Sequence, residues 1–279
     1  MTRSARQSGP SIVFLGGGRI TSAILAGLKV AGNRQRVVVH DHNKSKLKLL
    51  HRQYAVTVES DLERAIAQAG LLFIAVRPDS VPGLLRSVRA TLTLPSWPKR
   101  SALVAVSLAA GISLFRLRRM LGPHALWARA MPSPVCRTGN GLSALAFEQR
   151  LPARGRDQVR SFFRQIGTVL DLPERKFDAF TVTYSSSHGY HALAALADAG
   201  RQFGLDRKTA LTAASHALAD GIISWRQQKI PLQLLLQEAA TPGGIAEATM
   251  AAMDRSGYRE AVQRGLRAGL ARARASARR

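Results

Sequence analysis

Three consecutive glycines, Gly16, Gly17 and Gly18, follow a short apolar run, Ile12 to Leu15, and precede an amphipathic stretch. Glycine permits a tight turn and a close approach of the backbone to a ligand, and a helix beginning there presents free N–H groups and a positive dipole end. That combination suits a pyrophosphate, and Thr21 stands where a small residue lets the helix pack closely. The segment predicts a dinucleotide-binding turn; the alternative is an ordinary glycine turn in another α/β protein.

A second group of polar residues ends the next apolar strand. Asp41 lies at the distance downstream where an acid would hydrogen-bond the adenosine ribose and favour NAD. His42, Lys44 and Lys46 follow at once, and a basic edge is what the 2′-phosphate of NADP requires. The choice between NADP and NAD stays open at this point, and a solvated loop is the alternative for these residues. His40 and His42 fall on one strand face, but without a third ligand nearby we expect no metal there.

These residues must be positioned by strands and helices. Residues 12–147 alternate short β-branched runs with amphipathic segments, which is typical of parallel strands joined by crossover helices. The pattern predicts an α/β chain that opens with a Rossmann-like dinucleotide-binding domain. The predicted strands are Ile12 to Leu15, Arg36 to His40, Leu71 to Val76, Leu103 to Val106 and Leu126 to Ala130. The predicted helices between them include Thr21 to Val30, Ser45 to Gln53, Leu62 to Ala69 and Leu114 to Leu121.

The second half of the chain has a different pattern. Strand-like runs give way to alanine- and leucine-rich stretches, notably His188 to Phe203 and Lys208 to Trp225. Their apolar residues extend most of the way round a helix, so these helices must be buried on several sides. A partner subunit would supply the missing surface, and we expect an all-α dimerisation and substrate-binding domain in a homodimer. The boundary is predicted near Pro173, which gives domains of residues 1–172 and 173–279.

The charge balance is strongly basic. The chain carries 41 Lys and Arg against 17 Asp and Glu, a formal net charge of +24. Such an excess raises nucleic acid as a partner, but the basic residues are scattered and not interleaved with stacking aromatics, so we expect no specific nucleic-acid binding. The densest basic run, Arg264 to Arg279, is typical of a helix end. Cys136 is the only cysteine, which excludes an internal disulfide and favours a reducing, cytoplasmic compartment.

No targeting or membrane segment is evident. The stretch Met1 to Pro10 is polar and basic, and the apolar run after it is too short for the core of a signal peptide. No other segment approaches the length that a bilayer span needs. We therefore expect no membrane as a partner.

Several short motifs resemble, in order, those of the pyrroline-5-carboxylate reductase family, and the likeness runs nearly from end to end. In the first half they are Gly16 to Thr21, Ala75-Val76-Arg77-Pro78 (AVKP in the family), residues 106–112 (VSIAAGI) and Arg129-Ala130-Met131-Pro132 (RAMP). In the second half they are residues 195–200 with Gly204-Leu205 (EALADAG, then GL), Thr241-Pro242-Gly243-Gly244 (SPGG) and residues 256–259. Each motif is short, but the ordered set is specific.

The resemblance implies an activity and roles for particular residues. The family reduces a cyclic imine, Δ1-pyrroline-5-carboxylate, to proline with NADPH or NADH. Thr241, Gly243 and Gly244 would bind the substrate, the two glycines through backbone N–H groups that face its carboxylate if they begin a helix. The cofactor would be contacted at its phosphates by Gly16, Gly18, Arg19 and Ile20, and at its ribose and nicotinamide by Ala75, Val76, Arg77 and Pro78.

The departures from the family pattern fall on the segments that would touch the substrate. Residues 183–190 replace SGSGPAY, and Ile245 and Ala246 occupy the place of the threonine that follows PGG in the family. Because hydride adds more easily to a protonated imine, the missing hydroxyl needs a substitute. The candidates for this substitute are Ser186, His188 and Tyr190, with Ser187 beside them. The alternative is that His188 caps a helix and that Tyr190 packs in a dimer core.

Several functions stay open at this stage. An NAD(P)H-dependent reductase acting on pyrroline-5-carboxylate is the leading hypothesis. Because the substrate segments differ, a reductase of another cyclic imine or imino acid is the runner-up, and a catalytically weak homologue that binds a dinucleotide is a third possibility. His188 and His191 are three apart on a predicted helix, but two histidines without an acid or thiolate rarely hold a metal, so none is predicted.

Overall fold

The computed structural model describes residues 11–98, 102–228 and 230–278, and Met1 to Pro10 and Arg279 lie outside the described residues. Its first part is built on an eight-stranded sheet with the strand order β3-β2-β1-β4-β5-β6-β7-β8. Neighbouring strands are parallel except for β6 and β7, which are antiparallel. The strands are β1 Ser11–Leu15, β2 Val37–His40, β3 Thr57–Glu59, β4 Ala69–Ile74, β5 Leu103–Ser107, β6 Ala125–Pro132, β7 Gly141–Phe147 and β8 Gly167–Asp171.

Helices cover both faces of this sheet, so each inner strand contributes side chains to two cores. In β1, Ile12 and Phe14 belong to one apolar cluster, and Val13 and Leu15 belong to the other. Phe14 stacks on Phe73 in the first cluster with ring centroids 4.6 Å apart. The helices are α1 Arg19–Val30, α2 Lys44–Tyr54, α3 Leu62–Ala67, α4 Val81–Leu92, α5 Leu114–Leu121, α6 Ala153–Arg164 and α7 Glu174–Thr183.

The predicted fold class is confirmed, and all five predicted strands are present with bounds shifted by up to two residues. Three strands were not predicted. β3 is only three residues long, β7 (GLSALAF) is rich in small residues, and β8 (GTVLD) is exposed at several positions, so none shows a strong apolar period. The antiparallel pairing of β6 with β7 also departs from the expected series of parallel strands, because only the short segment 133–140 joins the two strands.

A buried arginine fastens α7 to the sheet. Arg129 of β6 is 2% exposed, and its guanidinium pairs with Asp178 at 2.8 Å and with Glu174 at 3.3 Å. The guanidinium also lies over the ring of Phe177, 4.3 Å from its centroid. Glu174 in turn accepts the N–H of Leu114 at the start of α5. The RAMP segment thus places a buried, paired charge that holds two helices on one sheet face.

The second compact unit spans residues 185–269, whereas the first comprises the residues up to Tyr184 together with the end of the last helix from Leu270. Only helices occur among its described residues, as the alanine- and leucine-rich pattern predicts. None of the described helices of either unit combines the length and hydropathy that a membrane span requires. The remaining helices are α8 Ser186–Gln202, α9 Arg207–Gln228, α10 Leu232–Ala239, α11 Ile245–Arg255 and α12 Tyr258–Arg278.

This helical unit buries little of its own apolar surface. Among its described residues, only three alanines, at the contact of α8 with α9, are buried: Ala197, Ala210 and Ala214. Large apolar side chains are exposed instead, including Phe203 (87%), Ile222 (56%) and Ile245 (90%). An exposed apolar surface of this extent is typical of an interface with another chain.

Helix α1 packs against the turn between β6 and β7 through a glycine. A Cβ placed on Gly27 would lie 2.2 Å from the carbonyl oxygen of Cys136, so only glycine allows this approach. Cys136 is fully buried there, and burial raises the pKa of its thiol to about 11. Gly27 therefore sets how closely α1 lies against the chain that reverses into β7.

Replacing Gly27 by Ala is expected to lower the free energy of unfolding by about 2 kcal/mol, because the added Cβ forces the helix and the turn apart. Gly83→Ala in α4 is the matched control, since its nearest atom would be a side-chain nitrogen 3.8 Å away. That change is expected to raise stability by up to about 1 kcal/mol through helix propensity. Urea unfolding of the three proteins makes the comparison. A Gly27→Ala variant as stable as the wild type would contradict the packing argument.

Candidate functional site

The glycine turn lies at the switch point of the sheet. The chain runs from β1 outward to β2 and β3 and then crosses back to β4 on the other side of β1. A crevice therefore opens between the carboxyl ends of β1 and β4, which is where open α/β sheets bind ligands. Gly16 follows β1 directly, and Ala75 follows β4 directly. The structure thus brings two of the segments predicted to contact a cofactor to the same edge.

The turn is held by a close backbone approach. Gly16 has a φ of +115°, and a Cβ at this position would lie 2.5 Å from the carbonyl oxygen of Ala75. Thr21 donates its hydroxyl hydrogen to the Gly16 carbonyl at 2.6 Å, which explains a small polar residue at that place. Gly18 is the N-cap of α1, and among the residues that the structure describes the nearest heavy atom to its Cβ position is the carbonyl oxygen of Ala75, 4.0 Å away. The start of α1, with Arg19 exposed, therefore has open space beside it for a ligand phosphate.

Asp41 closes the turn from the β2 side. Its carboxylate accepts the N–H of Gly17 at 2.8 Å through one oxygen and the N–H of Asn43 at 2.8 Å through the other. The residue is 7% exposed. Burial alone raises the pKa of Asp41. The two backbone N–H groups and the charges of Lys46 and His42 together lower the pKa by more than burial raises it, so the pKa lies below its ordinary value. Asp41 is therefore an ionised group that ties the glycine turn to the end of β2.

The basic residues after Asp41 are exposed to solvent, unlike Asp41 itself. His42 is 94% exposed, and Lys46, 48% exposed, places its ammonium nitrogen 3.8 Å from Asp41 Oδ2. Lys44 is also exposed at the start of α2. His40, by contrast, is half-buried and its Nδ1 lies 3.0 Å from the carbonyl oxygen of Glu59 in β3. An anionic group at this edge would meet two lysines and an imidazole.

Residues 75–78 form the other wall of the crevice. Ala75 is buried and donates its N–H to the carbonyl of Leu15 at 2.8 Å, which extends the pairing of β1 with β4 by one residue. Val76 and Pro78 are half-buried, whereas Arg77 is exposed just before the 3-10 turn Pro78–Ser80. Ile20, on the first turn of α1, packs on the apolar cluster beneath.

The three predicted catalytic residues all lie on the first turns of α8. Ser185 is the N-cap, and its hydroxyl lies 2.7 Å from the hydroxyl of Ser187. Ser186 and Tyr190 are one turn apart and share a helix face, whereas His188 lies two positions from each and on a different face. Tyr190 is 66% exposed, and the N–H of His188 donates to the Ser185 carbonyl, so in this chain Ser185 rather than His188 caps the helix.

The turn at 241–244 is bound by Glu247, a residue of α11 that was not among the predicted site residues. Gly243, with a φ of +75°, donates its N–H to Glu247 Oε2 at 2.7 Å, and Gly244 donates to the Thr241 carbonyl at 2.8 Å. Gly244 is the N-cap of α11, so the condition that these glycines begin a helix is met. The N–H of Gly243 therefore has its partner in the first turn of α11, and the N–H of Gly244 has its partner within the turn. The signal was the acid three residues after the cap, the spacing of a capping box.

The described part of the chain contains no cluster of side chains that could bind a metal ion. There, no three or more His, Cys, Asp or Glu side chains come close enough to hold a metal ion. The glycine turn and the β2 edge instead offer backbone N–H groups and two lysines, and the start of α8 separately offers hydroxyl groups.

Two family models match separate parts of the chain. Residues 11–94, which contain the glycine turn and Asp41, match a model described as NADP oxidoreductase, coenzyme F420-dependent. Residues 174–276 match a model described as pyrroline-5-carboxylate reductase dimerisation. This second match begins one residue after Pro173, and it supports a homo-oligomer.

Curated relatives match over nearly the whole chain. A pyrroline-5-carboxylate reductase from Synechocystis is 28% identical over 260 residues, which is 91% of this chain and 94% of the relative. One from Mycobacterium tuberculosis is 28% identical over 94% of this chain and 95% of its own. Among solved structures, a Plasmodium falciparum pyrroline carboxylate reductase with NADP bound superposes with a TM-score of 0.85 at 19% identity, over 96% of this chain and 98% of the other.

The fold and the site together define the class of protein. A glycine turn at the switch point of a mainly parallel sheet, followed by a helical unit, is a dinucleotide-binding α/β protein with a C-terminal helical domain. The matches to family models and to full-length relatives then identify the family. The chain belongs to the pyrroline-5-carboxylate reductase family, as the order of its motifs predicts.

Replacing Asp41 by Asn is expected to lower the free energy of unfolding at pH 7 by about 1–3 kcal/mol, because an amide offers one acceptor oxygen to two N–H groups. The folded-state pKa of Asp41 lies below its ordinary value of 3.8, so this contribution is present at neutral pH and is lost as the pH falls through the folded-state pKa. The difference between the two proteins should therefore shrink below pH 3.8.

Urea unfolding from pH 7 downward measures this effect. Glu63→Gln on the exposed face of α3 is the control, since it removes the same charge without a buried N–H partner. If Asp41→Asn and Glu63→Gln gave the same pH profile, Asp41 would not hold the turn in the way described.

Proposed function

We propose that the chain is an NADP(H)-dependent reductase that converts pyrroline-5-carboxylate to proline and so serves proline biosynthesis. The single observation that carries this proposal is the open glycine turn at the switch point, in a chain that is alignable over more than nine-tenths of its length with relatives named for this reaction. The enzyme is expected to act as a homodimer through the exposed apolar faces of residues 185–269, in the cytoplasm.

The residues at the crevice fit a dinucleotide. Open space beside Gly18 allows a pyrophosphate to approach the N–H groups of Arg19 and Ile20, where the dipole of α1 favours negative charge. Ala75, Val76, Arg77 and Pro78 line the wall opposite Gly16 and would border the ribose and nicotinamide. The reduced nicotinamide, when bound, supplies the hydride.

The arrangement around Asp41 favours NADP over NAD. Both carboxyl oxygens of Asp41 accept backbone N–H groups and the residue is nearly buried, so little of it is available to a ribose hydroxyl. His42, Lys44 and Lys46 are exposed at the same edge and would pair with a 2′-phosphate. Asp41 and His42 then have different roles in cofactor binding: Asp41 holds the turn, and His42 faces the adenosine end.

The turn at 241–244 would bind the substrate carboxylate. In the free chain the N–H of Gly243 donates to the carboxylate of Glu247, so the turn already accommodates a carboxylate oxygen. A substrate carboxylate would take the place of Glu247 at Gly243, next to Thr241 and Gly244, and would lie near the first N–H groups of α11. Glu247 would then act as an internal substitute for the substrate anion in its absence.

The start of α8 would supply the proton for the imine nitrogen. Ser186 and Tyr190 share one helix face, so a single substrate could contact both hydroxyl groups, whereas His188 faces elsewhere. A hydroxyl donor at this place would replace the threonine hydroxyl that this chain lacks at residues 245 and 246. His188 is then expected to affect turnover less than Ser186 or Tyr190.

Turnover of pyrroline-5-carboxylate with NADPH, followed by absorbance of the reduced cofactor, tests the proposed function. The wild type is expected to form proline, and Ser186→Ala or Tyr190→Phe to lower kcat/KM by about a hundredfold through loss of proton donation, with NADPH affinity unchanged. Tyr258→Phe on α12, also exposed, is the matched control.

Three other results would be informative. Turnover of other cyclic imines alone would assign a different substrate, and cofactor binding without any turnover would mean a weak homologue. Unchanged kinetics in Ser186→Ala, His188→Ala and Tyr190→Phe would show that these residues of α8 do not supply the proton donor.

Reversing the charge at the β2 edge tests the cofactor preference. The double variant Lys44→Glu, Lys46→Glu is expected to lower kcat/KM for NADPH by about tenfold or more, because each lysine pairs with the phosphate, and to leave the value for NADH unchanged. Lys48→Glu, exposed on the same helix, is the control for a change in overall charge. An equal loss with both cofactors would show that these lysines do not contact a 2′-phosphate.

A further inference from the structure

The last helix, α12, has a strongly basic side. Its sequence contains six arginines and a single acid, Glu260, and residues 261–279 contain no Asp or Glu. Because successive residues of a helix are rotated by about 100°, Arg264, Arg267 and Arg274 fall within an arc of about 80° on one side of α12. These three arginines are called the basic face below.

The burial of side chains follows the same division of the helix. Leu266, Leu270 and Ala273 lie on another side of α12 and are half-buried, with the spacing of a packed helix stripe. All three arginines of the basic face are exposed, and so are Ala268 and Ala271 between them. The basic face is therefore turned to solvent, and no bulky neighbour keeps a large ligand away from its guanidinium groups.

The charge of the basic face is not neutralised by the chain. Within the described ranges, the ion pair that α12 forms is that of Arg259 with Asp254 at its first turn, and none involves the basic face. On α6, by contrast, Arg160 pairs with both Asp157 and Asp171. Unpaired like charges at this spacing repel each other and lower helix stability. An anionic partner would remove that repulsion.

The helix dipole does not account for the position of these arginines. Cations stabilise the C-terminal end of a helix, but the effect is limited to about the last turn. Arg264 and Arg267 lie 14 and 11 residues before the last residue of α12, Arg278, which is about three turns or more. The basic face therefore extends well beyond the part of the helix where the dipole favours positive charge.

We propose that the basic face of α12 binds the phosphate backbone of a double-stranded nucleic acid without sequence preference. The three arginines are spread over about 15 Å of the helix axis, and duplex DNA carries a charge every ~1.7 Å along its own axis. One duplex can therefore contact all three guanidinium groups, whereas a small anion would reach fewer of them. Contacts to phosphates do not read bases, so this binding is compatible with the expected lack of specific recognition.

Two other anionic partners fit the basic face less well. A single strand needs aromatic side chains on which its bases stack, and Tyr258, at the first position, is the only aromatic residue in the sequence of α12. A helix that lies on an anionic bilayer inserts large apolar side chains next to its basic residues. The exposed residues between the arginines are Ala268 and Ala271, which are too small for that role.

Fluorescence anisotropy of labelled duplexes of about 20 base pairs, mixed with the full chain, tests the proposal. Two duplexes of unrelated sequence are expected to bind equally, and their affinity to fall about fortyfold between about 50 and 200 mM salt, because three phosphate contacts release about three counterions. An RNA duplex of the same length distinguishes DNA from RNA as the preferred partner. No cofactor or substrate is present, so the result does not depend on the proposed reductase activity.

Three results would overturn the proposal. The first is no saturable binding of any duplex, and the second is binding only to phosphatidylserine vesicles, which would indicate a bilayer instead. The third is displacement of the duplex by saturating NADPH, which would place the nucleic acid at the β2 edge.

A triple variant locates the binding. Arg264→Gln, Arg267→Gln, Arg274→Gln is expected to weaken duplex binding by about tenfold or more and to flatten its salt dependence, because all three phosphate contacts are lost. Thermal unfolding verifies that the variant is folded. Duplex binding that keeps its affinity and its salt dependence in this variant would refute the assignment to α12.

A second triple variant is the matched control for overall charge. Arg86→Gln, Arg89→Gln, Arg154→Gln removes three exposed arginines from α4 and α6 and leaves α12 intact. It is expected to bind the duplex nearly as tightly as the wild type. Equal losses in the two triple variants would assign the binding to the net charge of +24 as a whole and would contradict a site on α12.

Discussion

The approach of Gly16 to Ala75 is the constraint on which the nucleotide-binding half depends. With a Cβ position 2.5 Å from a carbonyl oxygen, no other residue fits there without moving β1 away from β4. That contact sets the width of the crevice at the switch point. The hydrogen bond from the N–H of Gly17 to Asp41 sets the position of the glycine turn relative to the end of β2. Three strand ends are thus fixed around one turn of three glycines, and the start of α1 takes its direction from them. Ligand affinity at such a turn comes from this preorganisation, since the N–H groups need no rearrangement on binding.

The helical half follows a different physical rule. Its described residues bury three alanines, while phenylalanine, leucine and isoleucine side chains remain exposed, so one copy does not contain a core of the usual size. Folding of this half and association with another chain are therefore expected to be coupled, because the same apolar surface drives both. The family model that matches residues 174–276 is a dimerisation model, in agreement with this reasoning.

The sequence predicted what depends on strong local patterns and missed what depends on contacts. Glycine spacing located the turn, and apolar runs located β1, β2, β4, β5 and β6, because inner parallel strands are uniformly apolar. The edge strand β3 and the small-residue strand β7 lack that pattern. Asp41 was predicted as a ribose ligand from its distance alone, whereas its bonds to Gly17 and Asn43 require the folded turn. Glu247 was missed for the same reason, although its spacing from Gly244 carried a signal.

The buried charged side chains of the sheet domain differ in how completely hydrogen bonds and ion pairs satisfy their polar atoms. Arg129 is buried and pairs with Glu174 and Asp178 through its two terminal guanidinium nitrogens, and Asp41 is buried and accepts two backbone N–H groups, so the chain itself compensates much of the lost hydration in both cases. Within the described ranges, three buried side-chain atoms have no hydrogen-bond partner: Trp127 Nε1, Arg129 Nε and Glu148 Oε2. An unpartnered buried polar atom lowers stability, so the pairs at Arg129 and Asp41 matter most where a helix or a turn has to be held in place.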